Sequence, residues 1–139
     1  MIKLWRTEGR YIAGYDKKCG KWQTGNEPFW KFIEDYFRTK YIIFEFKNYS
    51  EVITQREIYT TEKYLYAKAL RRVAIIISCN GPDDNAKKAI KGALGENGKL
   101  ILNLSNMDLA NMLEYELNGN SASEYLYNIL DELFIELEK

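Results

Sequence analysis

The sequence predicts an α/β domain: a mixed sheet flanked by helices, in the order β-β-α-β-α-β-α-β-α-α. Three observations carry that expectation. From Tyr41 onward, short β-branched or aromatic runs alternate with stretches of helical periodicity, which favours crossovers onto a partly parallel sheet. Val73-Ala74-Ile75-Ile76-Ile77-Ser78 is nearly all apolar, as in a central strand covered on both faces. Capping pairs three residues apart stand ahead of three of the expected helices. No internal repeat and no linker interrupts residues 1–139, so one domain is expected.

Taken in order, Ile2 to Arg6 and Arg10 to Tyr15 read as two short strands. Thr7-Glu8-Gly9 between them suits a tight hairpin, with Gly9 free to take positive φ. Asp16 ends the second strand. Residues 17–27 read as a polar loop. Pro28 opens a helix in which Phe29, Phe32, Ile33 and Tyr36 fall at helical spacing, ending near Arg38-Thr39. The strand from Tyr41 to Lys47 follows. Thr54 and Glu57 form a capping box for a helix expected to reach about Leu70, with Ile58, Leu65 and Ala69 inward. After the strand at Val73, Gly81-Pro82-Asp83-Asp84 starts a helix whose stripe is Ala86, Ala89, Ile90, Ala93 and Leu94. It ends near Gly95 or Gly98. Lys99 to Leu104 is another strand. Ser105 with Asp108 caps a helix to about Leu117, Asn118-Gly119-Asn120 breaks it, and Ser121 with Glu124 caps the last helix. Its broad apolar face (Tyr125, Leu126, Ile129, Leu130, Leu133, Leu137) is expected to pack on the body or on the same helix of a second chain, which makes 122–137 a candidate homodimer interface.

The strand Tyr41-Ile42-Ile43-Phe44-Glu45-Phe46-Lys47 carries the chemistry. Side chains alternate along a strand, so Glu45 and Lys47 share one face while Ile42, Phe44 and Phe46 take the other. Burying an unpaired charge is costly, and a core strand with two charges needs a reason. One reading is an edge strand with a cross-strand ion pair. The other is a metal-dependent phosphodiesterase site.

Composition narrows the chemistry. The chain has no histidine, which excludes Ser-His-Asp and Cys-His catalysis and His-based zinc sites. Carboxylates, Lys, Tyr, backbone groups and a hard metal ion remain. Cys19 and Cys79 lie far apart and form no metal-ligand spacing, which fits reduced thiols in a cytoplasmic protein. No apolar run approaches the roughly 20 residues that span a bilayer, so no membrane partner is expected. Residues 1–104 hold 19 Lys+Arg against 12 Asp+Glu, and residues 105–139 hold one against eight. A basic body with an acidic tail is compatible with a polyanion partner and equally with a solvated acidic helix face.

A two-carboxylate metal site needs acidic groups at the ends of neighbouring strands. If the strand ending at Asp16 pairs with the strand of Glu45, both carboxylates meet at one sheet end. They would hold Mg²⁺ or Mn²⁺ through oxygen, with the Phe46 backbone carbonyl. Lys47 would orient or activate the attacking water, whose pKa the metal lowers. Gln55, in the first turn of the next helix, would hold the water or a phosphate.

Asp, then Glu-x-Lys on a following strand, then a helix and a strand, resembles the PD-(D/E)XK nuclease superfamily. Glu27-Pro28-Phe29-Trp30, Phe44-Glu45-Phe46-Lys47-Asn48-Tyr49-Ser50, Tyr59-Thr60-Thr61-Glu62-Lys63-Tyr64-Leu65 and Ala74-Ile75-Ile76-Ile77 resemble Mrr-like restriction-endonuclease domains, from about Pro28 to the C-terminus. The resemblance implies a restriction-endonuclease-like fold and a divalent-metal DNA-cleaving core linked to defence against foreign DNA. Two departures stand against it. The family's metal-binding Asp follows a basic pair, whereas here the nearest match is Tyr15-Asp16-Lys17. The chain also starts almost on its first strand, where family members commonly carry a helix. It therefore reads as an active endonuclease or as a trimmed, inactive copy kept for dimerisation or for binding protein or nucleic acid. A nucleotide-binding reading lacks a glycine-rich phosphate loop.

Overall fold

The computed structural model describes the backbone of residues 2–6, 12–16, 21–24, 28–47 and 50–137, and the side chains of the last two stretches. The strands are β1 (Ile2–Arg6), β2 (Ile12–Asp16), β3 (Lys21–Thr24), β4 (Tyr41–Lys47), β5 (Arg71–Ser78) and β6 (Leu100–Leu104). The helices are α1 (Pro28–Phe37), α2 (Gln55–Glu62), α3 (Asp84–Asn97), α4 (Asn106–Leu117) and α5 (Ala122–Leu137), with a short 3₁₀ turn over Ala67–Ala69. No helix among the described residues is long and apolar enough to cross a membrane.

The main sheet has the order β1-β4-β5-β6. β4, β5 and β6 run parallel, and β1 closes the edge antiparallel to β4. Each parallel strand divides its side chains between two cores, as period-two alternation requires. Ile42, Val73, Ile75, Leu100, Leu102 and Leu104 face a core completed by Phe29 and Ile33 of α1 and Leu126 and Leu130 of α5. Ile43, Ala74, Ile76 and Ile101 face a second core with Ile53, Ile58 and the Ala86–Ala89–Ile90–Ala93 stripe of α3. The small alanines let α3 lie close to the sheet, while the aromatic side chains of α1 fill the opposite face.

Two expectations need correction. The opening strands do not pair with each other: β1 joins β4, and β2 pairs antiparallel with β3, a strand where a polar loop was expected. The Thr7-Glu8-Gly9 turn lies outside the described residues. The observed order is thus β-β-β-α-β-α-β-α-β-α-α. Second, α2 stops at Glu62, well short of Leu70. The Thr60 hydroxyl bonds back to the Arg56 carbonyl (2.8 Å), and bonds from Tyr64 N–H to Thr61 and from Leu65 N–H to Glu62 tighten the last turn. Leu65 reaches the core from that turn, Ala69 is exposed, and Leu70 takes a left-handed conformation with φ 56°.

Of the two readings of the last helix, the structure shows α5 packing on its own body. Leu126 and Leu130 are buried, and Tyr127, Ile129, Leu133, Phe134 and Leu137 pack beside them.

Candidate active site

β4 carries Glu45 and Lys47 toward α2, on the same face as the buried Ile43. The chain leaves β4, is clipped to the start of α3, and turns directly into α2. Ile53 makes the clip: its N–H donates to the Gly81 carbonyl and its carbonyl accepts from the Asp83 N–H, both at 2.8 Å. Asn80 adds a side-chain hydrogen bond to the Ser50 carbonyl. Thr54 then caps α2, its N–H (2.8 Å) and hydroxyl (2.5 Å) both donating to Glu57 Oε2.

This arrangement sets Thr61 over Glu45. The Thr61 hydroxyl donates to Glu45 Oε2 at 2.5 Å, and Lys47 Nζ lies 2.5 Å from Glu45 Oε1. Glu45 is buried and Lys47 half-buried, with side-chain exposures of 4% and 15%. Lys47 also acts on a second carboxylate. Partial burial pushes the Glu57 carboxyl up, but the Thr54 hydrogen bonds and the Lys47 ammonium outweigh it and hold its pKa below the ordinary value. Lys47 therefore stands between two carboxylates. It lines an open polar groove of about 430 Å³ with Glu51, Thr54, Arg56, Glu57 and Thr60. The groove opens at the carboxyl end of the parallel strands β4 and β5, the end where open α/β sheets take ligands.

The other expected site residues fall elsewhere. Gln55 lines a different groove, between α2 and α3, with Tyr59 and Lys88. The reason is helical geometry: Gln55 and Glu57 are about 200° apart around the axis. Asp16 ends β2 and pairs in register with Lys21 of β3. The residues opposite Glu45 in the main sheet are Ile2 of β1 and Ile76 of β5, so the strand of Asp16 is not the neighbour of β4. The Asp16 side chain lies outside the described ones.

Sequence reasoning passed over Thr61, and its signal was present. Ile58, Thr61 and Leu65 share the inward spacing of three and four residues, which places a hydroxyl in a core position. Arg56 was missed as a groove cation.

For a hard divalent ion, Glu45 and the Phe46 carbonyl are donors of the right kind. No group of three acidic or thiol side chains converges among the described residues. Both Glu45 oxygens are engaged, by Lys47 and Thr61, so an ion here would have to displace one of them and draw its other ligands from waters and substrate phosphate. Comparison with protein-family models, curated proteins and solved structures finds no match to this chain.

Proposed function

We propose that this chain is a divalent-metal-dependent DNA endonuclease of the PD-(D/E)XK kind, hydrolysing phosphodiester bonds at the Glu45–Lys47 end of β4. The observation that supports the reading is a buried carboxylate 2.5 Å from a half-buried ammonium on one strand face, the ammonium lining a polar groove at the carboxyl end of parallel strands. Glu45 and the Phe46 carbonyl would be the protein's donors for Mg²⁺ or Mn²⁺, completed by waters and substrate phosphate; the strand of Asp16 lies in the other sheet. When bound, the ion supplies a water of lowered pKa and neutralises charge on the phosphoryl oxygens. Thr61 orients the Glu45 carboxylate through Oε2. Lys47 exchanges Glu45 for a phosphate oxygen or the attacking water once substrate enters. Arg56 brings a second cation to the same groove, and Thr54 and Thr60 bring hydroxyls.

A second reading rests on the same atoms. Both Glu45 oxygens already have partners, Lys47 and Thr61, and the residue is 3% exposed. On that reading the pair is a structural node in an inactive nuclease-like fold kept for binding. Cleavage of plasmid and linear DNA with Mg²⁺ or Mn²⁺, beside Glu45→Ala and Lys47→Ala, separates the two. Metal-dependent cutting lost in both variants is the expected result. Folded wild type that cuts neither DNA with either metal overturns the enzyme reading, as does cutting that survives both substitutions.

A further inference from the structure

At the opposite end of the sheet, two non-glycine residues hold left-handed backbone: Arg38 at φ 50° and Leu70 at φ 56°. Such conformations cost of order 1 kcal/mol each and persist where surrounding structure imposes them. Here a buried threonine imposes them. The Thr39 hydroxyl donates toward the Tyr41 (2.8 Å) and Leu70 (3.0 Å) carbonyls and accepts from the Arg72 N–H (3.1 Å). The Leu70 carbonyl also accepts from the N–H groups of Lys40 and Tyr41. The loop entering β4 is thereby clipped to the turn entering β5.

The clip gathers cations. Residues 38–41 and 63–72 hold six Lys or Arg and no Asp or Glu. Arg38 and Lys68 are exposed, and Arg71 and Arg72 partly so. None of these four takes part in an ion pair described for this chain. Arg71 is instead held by stacking, its guanidinium 5.1 Å above the ring of Tyr66, and its buried Nε has no hydrogen-bond partner among the described residues. Tyr66 is 53% exposed, a large aromatic surface left in water beside the cations.

We infer that this end of the sheet, built on Arg38, Lys68, Arg71, Arg72 and Tyr66, is a binding surface for single-stranded nucleic acid. A cationic track with an exposed aromatic platform is what such strands need, since phosphates take the charge and any base can stack on the ring. An acidic peptide or an anionic membrane would use the same cations; a single strand adds bases that stack on the exposed ring, which is why it is favoured here. The six residue steps of β4 from Tyr41 to Lys47 put this surface about 20 Å from the Glu45–Lys47 groove. It is a separate contact, and it stands whether or not that groove is catalytic.

The test is fluorescence anisotropy of a labelled oligothymidylate across a salt series, in EDTA so that no metal chemistry contributes. Binding to wild type is expected, and Arg38→Gln with Arg72→Gln should weaken it at least tenfold. Each lost phosphate contact should flatten the log–log salt slope by about 0.7. Tyr66→Ala should weaken binding roughly fivefold or more with the slope unchanged. Lys87→Gln with Lys88→Gln, removing the same charge from the surface of α3, should leave binding within twofold. No binding by wild type, equal loss in the α3 control, or binding only to phosphatidylserine vesicles would each overturn the inference. Circular dichroism melts of each variant confirm that the folded protein is being measured.

Discussion

Replacing Lys47 with Met tests the physics of the Glu45 node directly. Met keeps most of the aliphatic stem and removes the ammonium. Glu45 then retains only the Thr61 hydroxyl and has nothing to neutralise Oε1, which Lys47 now holds at 2.5 Å. With exposures of 4% and 15%, water cannot easily replace the lost partner. Breaking a buried pair by removing one member costs about 3–5 kcal/mol. That is a large share of the roughly 5–15 kcal/mol total expected of a domain, and it should lower Tm by roughly 10–15 °C for a chain of this size. Urea denaturation followed by circular dichroism reads it as a fall in midpoint at unchanged slope. The double variant Glu45→Leu, Lys47→Met removes both charges and should recover most of the loss, because an apolar pair of similar volume often replaces a buried ion pair without penalty. A Lys47→Met cost below about 1 kcal/mol, the magnitude of an exposed pair, would refute the reasoning. So would a double variant less stable than the single one.

Two further outcomes follow from the same neighbourhood. Thr61→Val leaves Glu45 Oε2 without its donor and should cost about 1–3 kcal/mol in urea denaturation, while Thr61→Ser should recover most of it. Equal stability of Val and Thr at this position would mean the hydrogen bond contributes nothing. Glu57 is held below its ordinary pKa of 4.5, so it binds a proton less readily folded than unfolded. Its contribution is present above that ordinary value and is lost as pH falls through the lowered one. Glu57→Gln should therefore flatten the acid limb of a stability–pH curve below about pH 4.5. Parallel acid limbs for wild type and variant would count against the Thr54–Glu57–Lys47 arrangement.

The parallel half of the fold was legible because its signals are local. β4, β5 and β6 lie on the runs that composition marked out, and the Thr54–Glu57 and Ser105–Asp108 caps form as their spacing implies. Gly98 ends α3 at φ 62°, its N–H bonded to the Leu94 carbonyl. What the sequence hid is long-range. Whether β1 pairs with β2 or with β4 depends on which apolar edge is open, and no short window carries that information. The early end of α2 was hidden for a different reason. Ile58, Leu65 and Ala69 keep helical spacing, so periodicity continued past the point where Thr60 and Thr61 turned their hydroxyls to the Arg56 carbonyl and to Glu45. Gln55 is near the end of β4 in sequence but not in space, because the two residue steps between it and Glu57 turn it about 200°, roughly half a helical turn, to the α3 side.

The two ends of β4 differ in how they handle charge. At the carboxyl end, Lys47 and Glu45 neutralise each other, and Thr61 completes the carboxylate. A pair so closed can act on a ligand only by exchanging partners, so any chemistry there has to be switched on by what binds. At the amino end, Arg38, Lys68 and Arg72 have no carboxylate partner among the described residues, and Thr39 ties together the two segments that carry them, beside the left-handed Arg38 and Leu70. Cations on a braced frame with no ion pair among the described residues need no partner exchange there to meet a phosphate. If both sites act on one strand of nucleic acid, capture belongs to the amino end and exchange of partners to the carboxyl end. Substitutions at Arg38 and Arg72 should then lower affinity, whereas substitutions at Lys47 should lower turnover once the strand is bound.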